Sequence, residues 1–95
     1  MRLEKQKAVY LKSLITKYLP ESDIYLFGSR ADDMKKGGDI DILILADREL
    51  NRIEKSSIEF AFCNKFGEQK LDLVSFSYDA KSPFKEIALD EAVSL

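Results

Sequence analysis

Apolar side chains recur along the chain at two different spacings, and these spacings predict its helices and strands. From Leu3 to Leu19 the apolar positions alternate with lysines and glutamates in the manner of an amphipathic helix, which Pro20 ends. Three shorter runs of aliphatic and aromatic residues predict strands at Asp23–Phe27, Asp39–Ala46 and Leu71–Ser77.

Two more helices are predicted on either side of the third strand. Asp47 is the expected N-cap of a long helix that runs to around Lys65 and ends at Gly67. The inward side chains of this helix are expected to be Leu50, Ile53, Ile58, Ala61 and Phe62. Ser82 and Pro83 begin the last helix, because proline is favoured at the first helical position. Its buried side is expected to consist of Phe84, Ile87, Ala88 and Val93.

The order of these elements predicts one α/β domain of the α+β type, spanning residues 1–95. A three-stranded mixed sheet and about four helices are expected, counting a brief helical turn at residues 30–34. A short connection joins the first two strands, so these are expected to be antiparallel. A long helix separates the second strand from the third, which suits a parallel pair joined by a right-handed crossover.

Composition narrows the classes of function. Apolar residues make up 45% and charged residues 34% of the 95 positions, which is typical of a folded chain. A net charge of −2 gives no overall basic surface, so direct nucleic-acid binding is not expected. The chain has no histidine, which excludes serine–histidine, cysteine–histidine and zinc–histidine sites. The first residues do not resemble a signal peptide and no apolar run reaches membrane-spanning length, so a cytoplasmic location without membrane contact is expected.

Small and acidic residues gather at one end of the predicted sheet. The predicted topology brings Gly28 and Ser29, which follow the first strand, to the start of the second and third strands. Asp39 and Asp41 lie two positions apart and share a face, about 7 Å from each other, and Asp72 comes alongside on the third strand. Neighbouring carboxylates repel one another unless a cation lies between them, and hard divalent cations such as Mg²⁺ prefer oxygen ligands. The pattern therefore indicates a metal site.

The residues that precede this strand suit phosphate. Gly28 allows close approach of the backbone, Ser29 offers a hydroxyl and an amide N–H, and Arg30 adds a positive charge. Arg30 has an alternative as the ion-pair partner of Asp32 or Asp33. An Asp-x-Asp pair alone is more often a solvated strand end than a metal site. Only the conjunction of the two features favours a site for a metal-bound triphosphate.

The motif carries a family resemblance. A glycine and serine followed by nine residues and Asp-x-Asp, with a third aspartate in LDLVSF, resembles the signature of the polymerase-beta-like nucleotidyltransferases. Within that superfamily the chain resembles the minimal nucleotidyltransferases, small domains often paired as antitoxin with a HEPN-domain toxin. The likeness runs from the leading helix through LFGSR and DIDILI to the closing SPFKEIALDEAVSL. Many minimal members have ten residues before the first aspartate, so this loop is shorter, but no ligand position is lost.

The resemblance implies a polymerase-beta-like fold, an activity and a set of roles. It assigns nucleotide phosphates to Gly28, Ser29 and Arg30, and two Mg²⁺ or Mn²⁺ ions and the catalysis to Asp39, Asp41 and Asp72. The implied substrate is ATP. The implied activity is metal-dependent transfer of AMP to a hydroxyl of a partner protein, a tyrosine of a HEPN toxin, which is silenced by the modification.

Two other functions stay open at this point. The protein could be a noncatalytic antitoxin that neutralises its partner by binding alone. The presence of Asp39, Asp41 and Asp72 speaks against this, because clustered charges are costly without a ligand. The protein could also transfer a nucleotide to a small molecule, although relatives with that activity usually carry an additional domain that holds the acceptor.

Overall fold

The computed structural model describes residues 3–27 and 39–95 of the chain, with the backbone but not the side chain of Asp39. Its elements follow one another as α1 (Lys5–Tyr18), β1 (Asp23–Phe27), β2 (Asp39–Ala46), α2 (Arg52–Phe66), β3 (Lys70–Ser77), α3 (Pro83–Glu91) and β4 (Val93–Ser94). Within these ranges there are three helices, and the turn expected at residues 30–34, which would add a fourth, lies outside them. No helix in this part of the chain is both long and apolar enough to cross a membrane.

Among the described residues the sheet has four strands rather than the predicted three, in the order β3-β2-β1-β4. β1 is antiparallel to β2 and β2 is parallel to β3, which confirms the topology predicted from the connection lengths. The additional strand forms because α3 ends at Glu91 and the β-branched Val93 pairs with Leu26 on the edge of β1. The Leu95 amide continues this pairing by donating to the Ile24 carbonyl oxygen at 3.0 Å. Val93 was predicted on the buried side of the last helix, but it lies in this strand and is 39% exposed.

One face of the sheet packs against α1 and α2. The side chains of this layer alternate along the strands, as expected for a sheet with one buried face. Its fully buried members include Leu11, Ile15, Leu26, Ile40, Ile42, Ile44 and Phe62. These side chains form the hydrophobic core of the domain. Burial of each contributes about 1.5–3 kcal/mol to the stability of the fold.

The opposite face of the sheet packs against α3 in a smaller cluster. Phe27, Leu43 and Ala88 are buried there, and Tyr25, Val74, Phe76, Leu89 and Ala92 surround them. α3 has 9 residues, whereas α1 and α2 have 14 and 15. Among the described residues, this face therefore has less helical cover than the other.

α2 begins at Arg52, and its N-cap is Asn51 rather than the predicted Asp47. The Asn51 side chain accepts from the Glu54 amide at 2.8 Å, and the Glu54 carboxylate accepts from the Asn51 amide at 3.0 Å, which is a capping box. Arg48 donates two hydrogen bonds of 2.9 Å to the same carboxylate. The hydrogen bond from Arg48 and that from the Asn51 amide lower the pKa of Glu54 from 4.5 to about 2. The helix therefore starts where Asn51 and Glu54 can form a capping box, and not at Asp47, the first acidic residue after β2.

Besides Val93, three apolar side chains predicted to point inward are exposed, namely Ile53 by 76%, Phe84 by 48% and Ile87 by 62%. The later start of α2 places Ile53 in its first turn, away from the sheet. On α3 the positions that face the sheet are Lys85 and Ala88, so Phe84 and Ile87 lie on the flank of the helix. The apolar spacing alone did not distinguish the buried side from the flank.

Lys85 holds α3 against the end of β3. It is only 9% exposed, and its ammonium group donates to the carbonyl oxygens of Ser77, Tyr78 and Ala80 at 3.4, 2.7 and 3.1 Å. Three carbonyl oxygens match the three N–H donors of a lysine side chain. The start of α3 is also capped, because the Ser82 hydroxyl accepts from the Lys85 amide at 3.4 Å. Polar contacts thus fix the position of this helix on the sheet.

Candidate active site

Three strands meet in one row at the acidic end of the sheet. Phe27, the last residue of β1, pairs with Asp41 of β2, and Asp41 pairs in turn with Asp72 of β3. Two positions earlier, Asp39 pairs with Lys70. Neighbouring strands are about 4.8 Å apart, so the register places Asp41 and Asp72 side by side. The structure thus brings together two of the three carboxylates singled out in the sequence. We call this pair, Asp41 and Asp72, the acidic row.

Asp41 and Asp72 belong to one face of the sheet. Alternation along β2 places Asp41 on the side of Leu43, and the register with β3 places Asp72 there too. This is the face that packs against α3, opposite the core formed with α1 and α2. Asp72 is exposed and Asp41 is partly buried. The acidic row therefore lies at the rim of the face that packs against α3, and Asp72 is accessible to solvent there.

Phosphate contacts were predicted for Gly28, Ser29 and Arg30, and these residues lie outside the described part of the chain. Their role stays a prediction. The described residues do fix the point at which the chain reaches them, because β1 ends at Phe27 and Phe27 is paired with Asp41. The residue after Phe27 is Gly28, so the glycine–serine pair follows directly from the acidic row.

The described side chains contain no group of three or more His, Cys, Asp or Glu residues that could hold a metal ion. The side chain of Asp39, the third member of the predicted set, is not among them. Asp41 and Asp72 are nevertheless adjacent carboxylates on one face, and their oxygens are ligands that Mg²⁺ accepts. The donor chemistry of the row fits a hard divalent cation.

Lys70 is a neighbour of this site that the sequence pattern did not indicate. β3 begins at Lys70 rather than at Leu71, and this additional residue is the register partner of Asp39. Lys70 is exposed and belongs to the same face as Asp72, two positions further along. Lys70 therefore places a positive charge beside the acidic row. The sequence analysis missed Lys70 because it predicted that β3 begins at Leu71, one residue too late.

Phe84 is the second such neighbour. Its ring lies 6.0 Å from the ring of Phe27, centroid to centroid, and 6.3 Å from that of Phe76. Phe84 was predicted to be a buried residue of the last helix, but nearly half of it is exposed, on the face of the sheet to which Asp41 and Asp72 belong. No signal in the sequence separates an aromatic core residue from one at the edge of a site.

A cavity of about 470 Å³ lies at the opposite end of the sheet. It is lined by Tyr18, Leu19, Pro20, Glu21, Ala46, Asp47 and Arg48. The guanidinium of Arg48 is bound to Glu54 through two hydrogen bonds, so its charge is already matched. The converging carboxylates, not this cavity, mark the candidate site.

The family comparison matches most of the chain. The model described as "Polymerase beta, Nucleotidyltransferase" matches residues 10–95, a range that includes the acidic row. A search of the curated proteins finds no significant match.

Several solved structures share the fold. A chain in a crystal structure of a toxin–antitoxin with AMP-PNP superposes with a TM-score of 0.73, at 23% identity over 97% of this chain and 72% of that one. A chain in the structure of the toxin–antitoxin MntA-HepT gives 0.67, at 20% identity over 96% and 70%. A chain in the structure of tri-AMPylated Shewanella oneidensis HEPN toxin in complex with MNT antitoxin gives 0.61, at 22% identity over 93% and 70%. At these identities the likeness establishes the fold.

Proposed function

Because the chain belongs to the polymerase beta nucleotidyltransferase family, we propose that it transfers AMP from ATP to a hydroxyl group of a partner protein and requires a divalent metal to do so. The observation that carries this proposal is the register of Phe27, Asp41 and Asp72, which places two carboxylates side by side where β1 ends. The partner we propose is a HEPN-domain toxin, which the modification silences, so that the protein acts as an antitoxin.

Together with Asp39, the acidic row has the carboxylates that this reaction needs. Asp39 and Asp41 would hold two Mg²⁺ or Mn²⁺ ions, with Asp72 as the third carboxylate. Divalent ions bound there supply positive charge that lowers the pKa of an attacking hydroxyl and stabilises the leaving pyrophosphate. In the transfer, the acceptor oxygen forms a bond to the α-phosphorus of ATP, the bond to pyrophosphate breaks, and Asp72 accepts the hydroxyl proton.

The position of Asp72 suits this role as proton acceptor. It is on the outer strand β3, it is exposed, and it lies beside Asp41. An acceptor hydroxyl of a protein can approach an exposed carboxylate at the sheet edge more easily than one enclosed between strands. Gly28, Ser29 and Arg30 would hold the phosphates.

The choice of nucleotide and partner rests on the structures of the same fold. One of them contains AMP-PNP, and another is a complex of an AMPylated HEPN toxin with its antitoxin. Both the ligand and the modification belong to those proteins. They support ATP, AMP transfer and a HEPN toxin as the first combination to test with this chain.

Intact mass spectrometry tests the proposal. A HEPN toxin from the same genome is mixed in excess with the wild-type protein, ATP and Mg²⁺. We expect each toxin molecule to gain the mass of at least one AMP, although the protein is substoichiometric. Asp72→Asn should abolish the gain, and Asp47→Asn, an exposed aspartate at the other end of β2, should leave it intact.

The opposite result identifies the noncatalytic alternative. If the toxin is neutralised only by equimolar protein, without a mass change and equally well by Asp72→Asn, the protein acts by binding alone. A mass gain on a small-molecule hydroxyl, with none on the toxin, would instead assign the activity to a small acceptor.

A further inference from the structure

Phe84 is an aromatic side chain held in a fixed orientation although much of it faces solvent. It is 48% exposed, at the second position of α3. Its ring makes an edge contact with Phe27 at an interplanar angle of 78° and a tilted contact with Phe76 at 44°. The helix that carries it is anchored by the buried Lys85. An exposed ring that is already fixed can bind a flat ligand with little loss of side-chain entropy.

The ring lies on the same face of the sheet as the acidic row and is linked to it by one residue. Phe27 is the register partner of Asp41, and its ring lies 6.0 Å, centroid to centroid, from the ring of Phe84. The other contact of Phe84 is Phe76, which pairs with Leu45 further along β2, so the Phe84 ring lies between the row and the far end of the sheet. The base of a nucleotide is separated from its α-phosphate by one ribose, so the two can occupy neighbouring parts of this face. Ile87, one turn along α3 and 62% exposed, continues the apolar surface.

We infer that the exposed part of the Phe84 ring is the platform on which the base of the nucleotide stacks while its phosphates lie at the acidic row. The inference rests on the proposed function, because it concerns the same nucleotide. It adds a contact for the base, whereas the aspartates and the glycine–serine pair account only for metal and phosphates. A base presents an aromatic face to any flat ring, so the platform should accept purines without distinguishing them.

A second exposed phenylalanine provides a matched control. Phe60 is 74% exposed on α2, a helix whose buried residues Ile58 and Phe62 belong to the core on the other face of the sheet. Phe60 therefore resembles Phe84 in side chain and exposure but lies on the far side of the molecule from the acidic row. The same substitution at both positions separates a local effect from a general one.

Calorimetric titration in the presence of Mg²⁺ tests the platform by removing the ring. Phe84→Ala should weaken ATP binding between about fivefold and about a hundredfold, the range typical of one base–aromatic stack. It should weaken GTP binding by the same factor. Tripolyphosphate, which has phosphates but no base, should bind the variant as it binds the wild type. Phe60→Ala should bind all three ligands normally.

Fluorescence gives a direct signal of stacking, because the chain contains no tryptophan. Phe84→Trp introduces a single indole at the platform, and ATP should quench its emission whereas tripolyphosphate should not. Phe60→Trp should show no quenching with either ligand. The larger flat ring of tryptophan should also preserve ATP affinity, which the alanine variant loses.

The outcomes separate the platform from the function on which it rests. If Phe84→Ala binds ATP and tripolyphosphate as the wild type does, the platform is refuted and nucleotide transfer stands. If the alanine variant instead loses affinity for the partner protein in the absence of nucleotide, with ATP affinity intact, the ring belongs to a protein interface and the platform is again refuted. If the wild type binds no ATP with Mg²⁺, both proposals fail.

Discussion

Replacing Lys85 by methionine tests how α3 is held on the sheet. Methionine retains most of the length of the apolar stem but removes the ammonium group, which donates to the carbonyl oxygens of Tyr78 and Ala80 at 2.7 and 3.1 Å. The third contact, to Ser77 at 3.4 Å, is long and contributes little. Hydrogen bonds to charged groups contribute about 1.5–3 kcal/mol each, so the two short ones together contribute about 3–6 kcal/mol.

Part of this loss is offset in the variant. Lys85 is only 9% exposed, and methionine avoids the cost of keeping a charge away from water. The net destabilisation we expect is about 2–4 kcal/mol, a large share of the about 5–15 kcal/mol that stabilises a typical domain. With a urea m-value of about 1–2 kcal/mol/M, the unfolding midpoint should fall by about 1–4 M.

Urea unfolding followed by circular dichroism measures this change. Lys81→Met is the matched control, because Lys81 is an exposed lysine four residues earlier, and its midpoint should stay close to that of the wild type. An unchanged midpoint for Lys85→Met would refute the reasoning, since it would mean that the three carbonyl oxygens do not depend on the ammonium group.

Three further predictions concern other contacts. Ser75→Ala should cost about 1–3 kcal/mol in urea unfolding, because the Ser75 hydroxyl accepts from the buried Leu50 amide at 2.9 Å; a cost near zero would show that another acceptor replaces it. Glu54 has its pKa lowered from 4.5 to about 2 by the hydrogen bonds from Arg48 and the neighbouring amide, so its stabilising effect is complete above 4.5 and is lost as the pH falls through about 2. The stability difference between wild type and Glu54→Gln should therefore shrink over that interval, and a difference that grows on acidification would contradict the assignment. Asp41→Asn should remove most of the Mg²⁺-dependent part of ATP affinity in calorimetry, and equal ATP affinity in excess chelator for the wild type would refute the metal site.

The first three strands and their topology could be predicted from the sequence because local pattern decides them. β1 and β2 have the predicted ends, and the connection lengths alone give the antiparallel and parallel pairings. The same reasoning predicts Asp41 beside Asp72, and the register of β2 and β3 confirms it. An aliphatic run bounded by turn residues leaves few alternatives, and a short or long connection leaves few topologies.

The rest depended on contacts between distant residues. Val93 joins the sheet because the edge of β1 is open to it, and no local pattern around Val93 indicates that edge. α2 begins after the N-cap Asn51 because Asn51 and Glu54 form a capping box, to which Arg48 adds its hydrogen bonds. Phe84 fits the apolar periodicity of the last helix and was therefore predicted to be buried. Lys85 occupies the position that faces the sheet instead, because its ammonium group donates to three carbonyl oxygens there. The periodicity of apolar residues within one element does not reveal such contacts with another element.

The alternation along β2 limits how this gene can change in length. Ile40 and Ile42 belong to the core, and Asp41, which lies between them, belongs to the opposite face. Insertion of a single residue within the strand would exchange the two sets beyond that point, so that carboxylates entered the core and isoleucines met the ligand. Folding and chemistry would be lost in the same mutational event. Insertions and deletions should therefore be tolerated only in the connections, and homologues of this chain should vary in length between β1 and β2 but not within β2.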